Sequence, residues 1–313
     1  MSAASGQSLR VLVLGAGATG GFFGARLIEA GAQVAFLVRP ARAGRLQRDG
    51  LRVLSEKAPF AAPVRMLTAP EDDRYDLILL ACKAYDLDAA IAALRSAMGV
   101  RTRLLPLLNG LAHLDRLDAA FGAGRILGGL CHLSVTLQDD GAIRHFGALD
   151  RLVWGSRTPA DPALPRLRAL FAGMRSEVIE SNEIQAAMWA KFAFIAALAG
   201  ITCLLRGSVG DIAAAGGDAL AQRLYRECAD VAERSGCAIA RAQREESLRV
   251  LAEPASALKA SMLRDLERGA RTEGAAILGD MLLRARSFGV DVPLLEAAAC
   301  HVAVYEATRP GSR

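Results

Sequence analysis

No pair among the six cysteines has Cys-x-x-Cys spacing, and the four histidines do not cluster with them. That excludes the common zinc and thiol-redox motifs, so no metal is expected. The thiols read as reduced, mostly buried residues of a cytosolic protein, and a cytoplasmic location is expected. A net charge of +5 comes without a concentrated basic face or a nucleic-acid motif. The scattered basic residues suit anionic small molecules, and no nucleic-acid partner is expected. Residues 1 to 8 lack an apolar signal core and read as a frayed tail. The longest apolar run, Phe192 to Leu205, is too short for a bilayer span and fits a buried helix, so no membrane partner is expected. There is no repeat of fixed period, and no nucleophile-elbow motif supports a Ser-His-Asp triad. A chain of 313 residues can bury a large core and is expected to split into two domains.

What is present starts with Val11-Leu12-Val13-Leu14, a buried-strand pattern that runs straight into Gly15-Ala16-Gly17-Ala18-Thr19-Gly20. In a Gly-x-Gly-x-x-Gly loop the first glycine permits a tight strand-to-helix turn. The second lets backbone approach a pyrophosphate, and the third lets the helix pack close to the strand. The pyrophosphate then rests on the helix N-terminus, where free N–H groups and the helix dipole favour anions. Such a loop is a weak signal alone. Here a strand precedes it, an amphipathic stretch from Phe22 to Ala30 follows, Gly31 stops the helix, and a second strand spans Gln33 to Val38.

Folds that bind NAD usually place Asp or Glu after that second strand, to hold the ribose 2′-hydroxyl. This chain has Arg39, followed by Pro40, Arg42 and Arg45, and no carboxylate between Glu29 and Asp49. A carboxylate would repel a 2′-phosphate, whereas a guanidinium binds it through paired hydrogen bonds. The expected cofactor is NADP(H), preferred over NAD(H) through Arg39.

Strands and helices alternate through the first half: Asp76 to Leu80, then Ala84 to Met98; Arg103 to Leu108, then Leu111 to Phe121; and a further strand from Ile126. This alternation predicts a parallel sheet covered on both faces. From Leu130 to Gly155, short strands with turns at Gly141 and Gly147 predict an antiparallel extension of that sheet. A helix over Pro162 to Arg175 and a strand over Glu177 to Ile179 close the region. Beyond Ser181 the pattern is helical: Glu183 to Leu204, Gly217 to Ser235, Ala242 to Leu251, Met262 to Glu267, Glu273 to Phe288 and Pro293 to Ala307. Gly236 and Gly289 stand where helix ends need a left-handed residue. The fold class expected is α/β: a Rossmann-type dinucleotide-binding domain over residues 1–181 and an all-helical domain over 182–313 for substrate binding and dimerisation. Substrate is expected at the carboxyl ends of the strands.

Lys191 sits in Met188-Trp189-Ala190-Lys191-Phe192-Ala193-Phe194-Ile195, the most hydrophobic helix of the chain. Lysine is rarely buried without a requirement, and an apolar setting suits a lysine that exchanges a proton near neutral pH. A lysine that snorkels to the surface fits the pattern equally well. Glu273 follows Thr272, a good N-cap, and a carboxylate there also simply matches the helix dipole. Ser261 reads as another N-cap, and Asn109-Gly110 as a turn at the carboxyl edge of the sheet. Lys83 ends the preceding strand at the same edge, to meet cofactor phosphate or water. His132 and His145 read as structural, and His113 as a surface residue of its helix.

Taken together, these motifs resemble the ketopantoate reductase (2-dehydropantoate 2-reductase) family: Gly15 to Gly20, Arg39, Cys82-Lys83-Ala84, Leu108-Asn109-Gly110, Trp189-Ala190-Lys191, Ser261-Met262-Leu263-Arg264-Asp265 and Thr272-Glu273. The agreement runs from about Leu9 to Tyr305. The resemblance implies that Lys191 is the general acid, and that Glu273 and Ser261 contact substrate or orient the site. It implies that Lys83 and Asn109 contact the cofactor, with Asn109 also near substrate, and that the backbone at Ser134 touches the cofactor. It further implies that NADPH reduces a 2-oxo acid to a 2-hydroxy acid: ketopantoate to pantoate, in pantothenate biosynthesis, or a related branched 2-oxo acid. The family commonly has asparagines four and eight residues after its lysine, binding substrate hydroxyl and carboxylate; here those positions are Ile195 and Ala199. A site without those hydrogen bonds discriminates differently. The partner expected is this small 2-oxo acid, and a homodimer through the helical half is compatible with the resemblance. Two other readings are a β-hydroxyacid dehydrogenase of another substrate and a non-catalytic NADP(H)-sensing protein. Retention of both Lys191 and Glu273 argues against the sensor.

Overall fold

Val11, Leu12 and Val13 are fully buried, and the strand they form, β1 (Arg10–Leu14), lies in the middle of a five-stranded sheet. An apolar run buried on both faces is the signature of a central parallel strand. The computed structural model describes residues 8–71, 75–158 and 161–309. The tail expected over residues 1 to 8 lies outside the described residues, except for Ser8. Beside β1 stand β2 (Gln33–Leu37) and, beyond it, β5 (Arg65–Leu67). On the other side stand β6 (Leu77–Leu80) and β7 (Arg103–Pro106), and every pairing in this sheet is parallel. The chain winds outward from β1 in one direction and then returns to wind in the other. Ligands of open α/β sheets bind at the carboxyl ends of strands at such a reversal.

The region from 128 to 155 does not extend this sheet antiparallel, as the sequence pattern suggested. β8 (Gly128–Leu137) and β9 (Ile143–Gly155) do pair antiparallel, but within a second five-stranded sheet with β3 (Leu51–Leu54), β4 (Phe60–Ala62) and β10 (Glu177–Glu180). A single parallel bridge, Leu104 to Ile126, joins the approach of β8 to β7. The reason lies in α1 (Ala18–Glu29), whose residues from Gly20 to Leu27 are all buried. A helix that is apolar all round needs cover on every side. α1 contacts β1 and β2 of one sheet and β3, β8 and β9 of the other. The Phe22 ring, for example, lies 5.1 Å from the His145 ring of β9.

Several elements between 39 and 75 have no counterpart in the sequence reading: α2 (Pro40–Asp49), β3, β4 and β5. The strands are three or four residues long, too short to show alternation. α2 is arginine-rich with one buried residue, Leu46, so it has too few apolar residues to mark a helix by its buried face. The helix expected over Ala84 to Met98 is a 3-10 turn (Ala84–Asp86) followed by α3 (Leu87–Leu94). α4 (Ala112–Phe121) buries His113, which corrects its reading as a surface residue. α5 (Leu164–Ala172) leads into β10.

The chain forms two compact units, one of residues 1–108 and 113–184, the other of Asn109–Ala112 with residues 185–313. The second unit is helical. α6 (Ile184–Leu205) is 22 residues long, and by length and composition it could cross a membrane, against the expectation of no run long enough. Yet 72% of its most apolar window is buried inside the protein. A Cβ at Gly200 of α6 would lie within 3.6 Å of Leu224, Ala298 and Leu278, so three elements crowd this helix. These belong to α8 (Asp218–Arg234), α12 (Pro293–Thr308) and a π-helical turn, Ala275–Gly279. α7 (Val209–Ala214), α9 (Arg241–Val250), α10 (Ser261–Glu267) and α11 (Asp280–Phe288) complete the unit. Glu227 of α8 is buried and accepts hydrogen bonds from the N–H groups of Leu294 and Leu295, at the N-terminus of α12.

Candidate active site

In the first unit the strand-to-helix turn takes the form its glycines call for. Gly15 has φ +97°, a backbone conformation that favours glycine. A Cβ on Gly20 would collide with the Gly15 carbonyl oxygen, so α1 can start this close to β1 only with glycine there. Ala18, Thr19 and Gly20 form the first turn of α1, which holds no acidic residue, and its N-cap, Gly17, offers no side-chain hydrogen bond. A Cβ on Gly17 would meet nothing within 4 Å. The space that Gly17 faces is therefore open, beside N–H groups without a side-chain cap at the positive end of a helix. That fits a dinucleotide pyrophosphate.

Neighbouring strands bring further candidates to this turn. The Ala81 N–H donates to the Leu14 carbonyl at 3.2 Å, so the segment holding Lys83 leaves the sheet beside the glycine loop. Lys83 is half-buried and precedes the 3-10 turn. Arg39 opens α2, and its Nη2 donates to Asp86 Oδ1 at 2.7 Å. Asp86 was not singled out in the sequence because it lies 47 residues from Arg39; its place three residues after Lys83, at the same sheet edge, was the available signal. Arg42 does not join Arg39: its Nε donates to the Ala16 carbonyl at 2.9 Å and its Nη1 to the Gly141 carbonyl at 3.0 Å, bracing the loop. Arg45 donates to the Asp139 carbonyl at 2.9 Å. Ser134 lies on β8 where the ladder is irregular. Leu133 pairs with Asp150 and Val135 with His145, so β9 loops out over 146–149 opposite it. Such an interruption frees backbone from the ladder.

In the second unit, Lys191 is half-buried on α6, less enclosed than its apolar surroundings in sequence suggested. Ile195 is also half-buried, and Ala199 is buried. Cys203, further along α6, has its thiol pushed up to about 12 by burial, which removes it as a nucleophile. Glu273 is buried, and its carbonyl accepts from the N–H groups of Ala276 and Ile277, opening the π-helical turn. Turns of this kind are rare and frequent at functional sites. The half-buried Asn109 reaches this place through Gly110. Gly110 has φ +82°, and a Cβ there would stand 2.9 Å from the Ala276 carbonyl oxygen and 3.6 Å from the Phe192 ring. The Asn109-Gly110 turn is thus pressed between the residue after Lys191 and the turn after Glu273.

The segment before Glu273 is fixed by contacts that no sequence motif announced. The Thr272 N–H donates to Glu306 of α12 at 2.6 Å, and the Tyr305 hydroxyl donates to the Ala270 carbonyl at 2.8 Å. The Thr272 hydroxyl accepts from the Gly274 N–H at 3.2 Å, as a cap does. Ser261 does not cap α10; it is the first helical residue and is exposed, with Ala260 as N-cap.

Comparison with known proteins gives this arrangement a family. The profile of the ketopantoate reductase PanE/ApbA family matches residues 11–159, and that of its C-terminal domain matches residues 183–306. The chain is 37% identical over 305 residues to the uncharacterized oxidoreductase YkpB of Bacillus subtilis, covering 96% of this chain and all of that one. It is 30% identical over 294 residues to a 2-dehydropantoate 2-reductase of Archaeoglobus fulgidus, covering 90% of this chain and 92% of that one. The crystal structure of 2-dehydropantoate 2-reductase from Geobacter metallireducens superposes with a TM-score of 0.86 at 29% identity, over 95% of this chain and 99% of that one. With profile matches across both halves and a 2-dehydropantoate 2-reductase relative matched over nearly its full length, the chain belongs to the ketopantoate reductase family and is an NADP-dependent oxidoreductase.

Proposed function

We propose that the protein reduces a branched 2-oxo acid whose side chain is less polar than that of ketopantoate. The observation that carries this reading is the apolar pair Ile195 and Ala199, four and eight residues beyond Lys191. Residues at that spacing lie near one face of a helix, so in this reading they lie beside the substrate that Lys191 contacts. Neither offers a hydrogen bond to a substrate hydroxyl or carboxylate.

The glycine loop from Gly15 to Gly20, Arg39, Lys83, Asn109 and the backbone at Ser134 hold the cofactor. When bound, NADPH supplies the hydride that adds to the ketone carbon. Lys191 stabilises the negative charge that grows on the ketone oxygen and donates its Nζ proton there, giving the 2-hydroxy acid. Glu273 and Ser261 contact the substrate or orient the lysine, and Asn109 lies near both ligands. The Glu306 and Tyr305 contacts support this geometry by fixing the segment that carries Glu273.

The test compares kcat/KM for NADPH oxidation with ketopantoate and with branched 2-oxo acids lacking its hydroxyl. The wild type is expected to favour the apolar acids. Each unmade charge-assisted hydrogen bond costs on the order of 1.5–3 kcal/mol. Ile195→Asn with Ala199→Asn is expected to shift the ratio toward ketopantoate by at least about tenfold. Efficient wild-type turnover of ketopantoate, with no gain in the double variant, would refute the proposal and place the protein in pantothenate biosynthesis.

A further inference from the structure

β2 and β6 flank β1 on opposite sides, so their carboxyl ends frame the glycine loop. β2 hands over to Arg39, and β6 hands over to Lys83 and the 3-10 turn that ends at Asp86. Across the loop, Arg39 and Asp86 form an ion pair at 2.7 Å, with 78% of the arginine side chain and 33% of the aspartate side chain exposed. Pairs this exposed add little to stability. Asp86 also stands at the N-cap of α3, where a carboxylate suits the helix dipole, but its side chain makes no capping hydrogen bond and is turned to Arg39 instead. Cofactor recognition gives that placement a use. Folds that bind NAD set a carboxylate at the end of the second strand to accept from the ribose 2′-hydroxyl. In this protein the end of β2 holds an arginine, and the carboxylate arrives from the far side of β1.

We propose that Asp86 is a specificity-determining residue for the cofactor. It accepts a hydrogen bond from an unphosphorylated adenosine ribose and competes with a 2′-phosphate for Arg39. With NAD(H), Arg39 stays neutralised by Asp86. With NADP(H), the guanidinium must turn from the carboxylate to a phosphate, and that phosphate then lies close to an uncompensated negative charge. The enzyme therefore holds NADP(H) less tightly than Arg39 alone would allow, and it retains NAD(H) binding. The inference rests on NADP(H) binding and not on the substrate proposed above.

The experiment is a binding titration, followed by tryptophan fluorescence or calorimetry, of NADP+, NAD+, 2′,5′-ADP and 5′-AMP. The proteins are wild type, Asp86→Asn, Asp86→Ala and Arg39→Ala. Both Asp86 variants are expected to bind NADP+ and 2′,5′-ADP about tenfold more tightly at low salt, because like-charge repulsion is removed. That gain is expected to vanish near 1 M salt, where the screening length is about 3 Å. NAD+ and 5′-AMP are expected to weaken about threefold, the loss of one hydrogen bond. Arg39→Ala is expected to weaken NADP+ while leaving NAD+ unchanged. Unchanged NADP+ affinity in both Asp86 variants, or equal shifts for both cofactors, would overturn the proposal. A protein that shows these titrations but reduces no 2-oxo acid would refute the substrate reading alone.

Discussion

Replacing Lys191 by alanine is expected to lower kcat by about 10²- to 10⁴-fold, the usual contribution of a general acid. In free energy that is about 3–5 kcal/mol of transition-state stabilisation. NADPH affinity is expected to stay within about twofold of wild type, because the glycine loop and Arg39 belong to the other compact unit. Lys191→Arg keeps a positive charge but holds its proton far too tightly to release it, so it is expected to recover little of the loss. The readout is steady-state NADPH oxidation together with cofactor titration. Near-wild-type turnover by the alanine variant would reduce Lys191 to a helix residue, and the proposed mechanism would fall with it. Parallel loss of turnover and cofactor binding would point instead to a damaged fold.

The second large effect concerns stability. Arg103 starts β7, and its Nε and Nη2 donate to the two carboxylate oxygens of Asp161 at 2.8 and 2.7 Å. Asp161 also accepts from the Ala163 N–H at 2.9 Å, just ahead of α5. The pair is buried, with side-chain exposures of 9% and 2%. Removing one member leaves an uncompensated buried charge, so Asp161→Ala is expected to destabilise the protein by about 3–5 kcal/mol. The double variant Arg103→Met with Asp161→Leu is expected to regain most of that loss, since well-packed apolar residues often replace a buried pair at no cost. Urea unfolding midpoints measure both. Equal losses in the single and double variants would show that the charge left behind is not the cause.

The same pair carries a pH signature. Burial by itself raises the Asp161 carboxyl, but the hydrogen bonds from Arg103 and Ala163 and the charge of Arg103 outweigh it and hold the group below the ordinary carboxylate value. A carboxyl depressed on folding makes the unfolded chain the better proton binder in that window, so stability rises with pH there. The contribution is complete above about pH 5 and is lost as pH falls below about 4, through the folded value. The stability gap between wild type and Asp161→Ala is therefore expected to narrow in acid. A gap that stays constant from pH 7 to pH 3 would contradict this assignment.

The local sequence determined the parts of this protein that depend on a few adjacent residues. The β1–loop–α1 unit was legible because strand burial, the Gly15 turn and the Gly20 approach all act within ten residues. The helical half was legible because α6 is one long continuous apolar segment and 3.6-residue periodicity persists through α8. Lys191 could be singled out because it breaks an apolar pattern, whereas Glu273 fits an ordinary helix start and stood out only through the resemblance to a known family. Only the tertiary structure decided what depends on residues far apart in the chain. The second sheet gathers strands from 51–62, 128–155 and 177–180; β3, β4 and β10 are too short to carry much pattern, and even the longer β8 and β9 do not declare their partners locally. Asp86 meets Arg39 because β2 and β6 flank the same strand, a matter of strand order and not of local pattern. Asn109 and Gly110 leave their neighbours in sequence and pack with the helical unit, since Gly110 alone permits the close approach to Ala276. Residue types and short spacings are written in the chain one after another, whereas pairings across a sheet or between helices emerge only when burial of the apolar surface brings distant segments together.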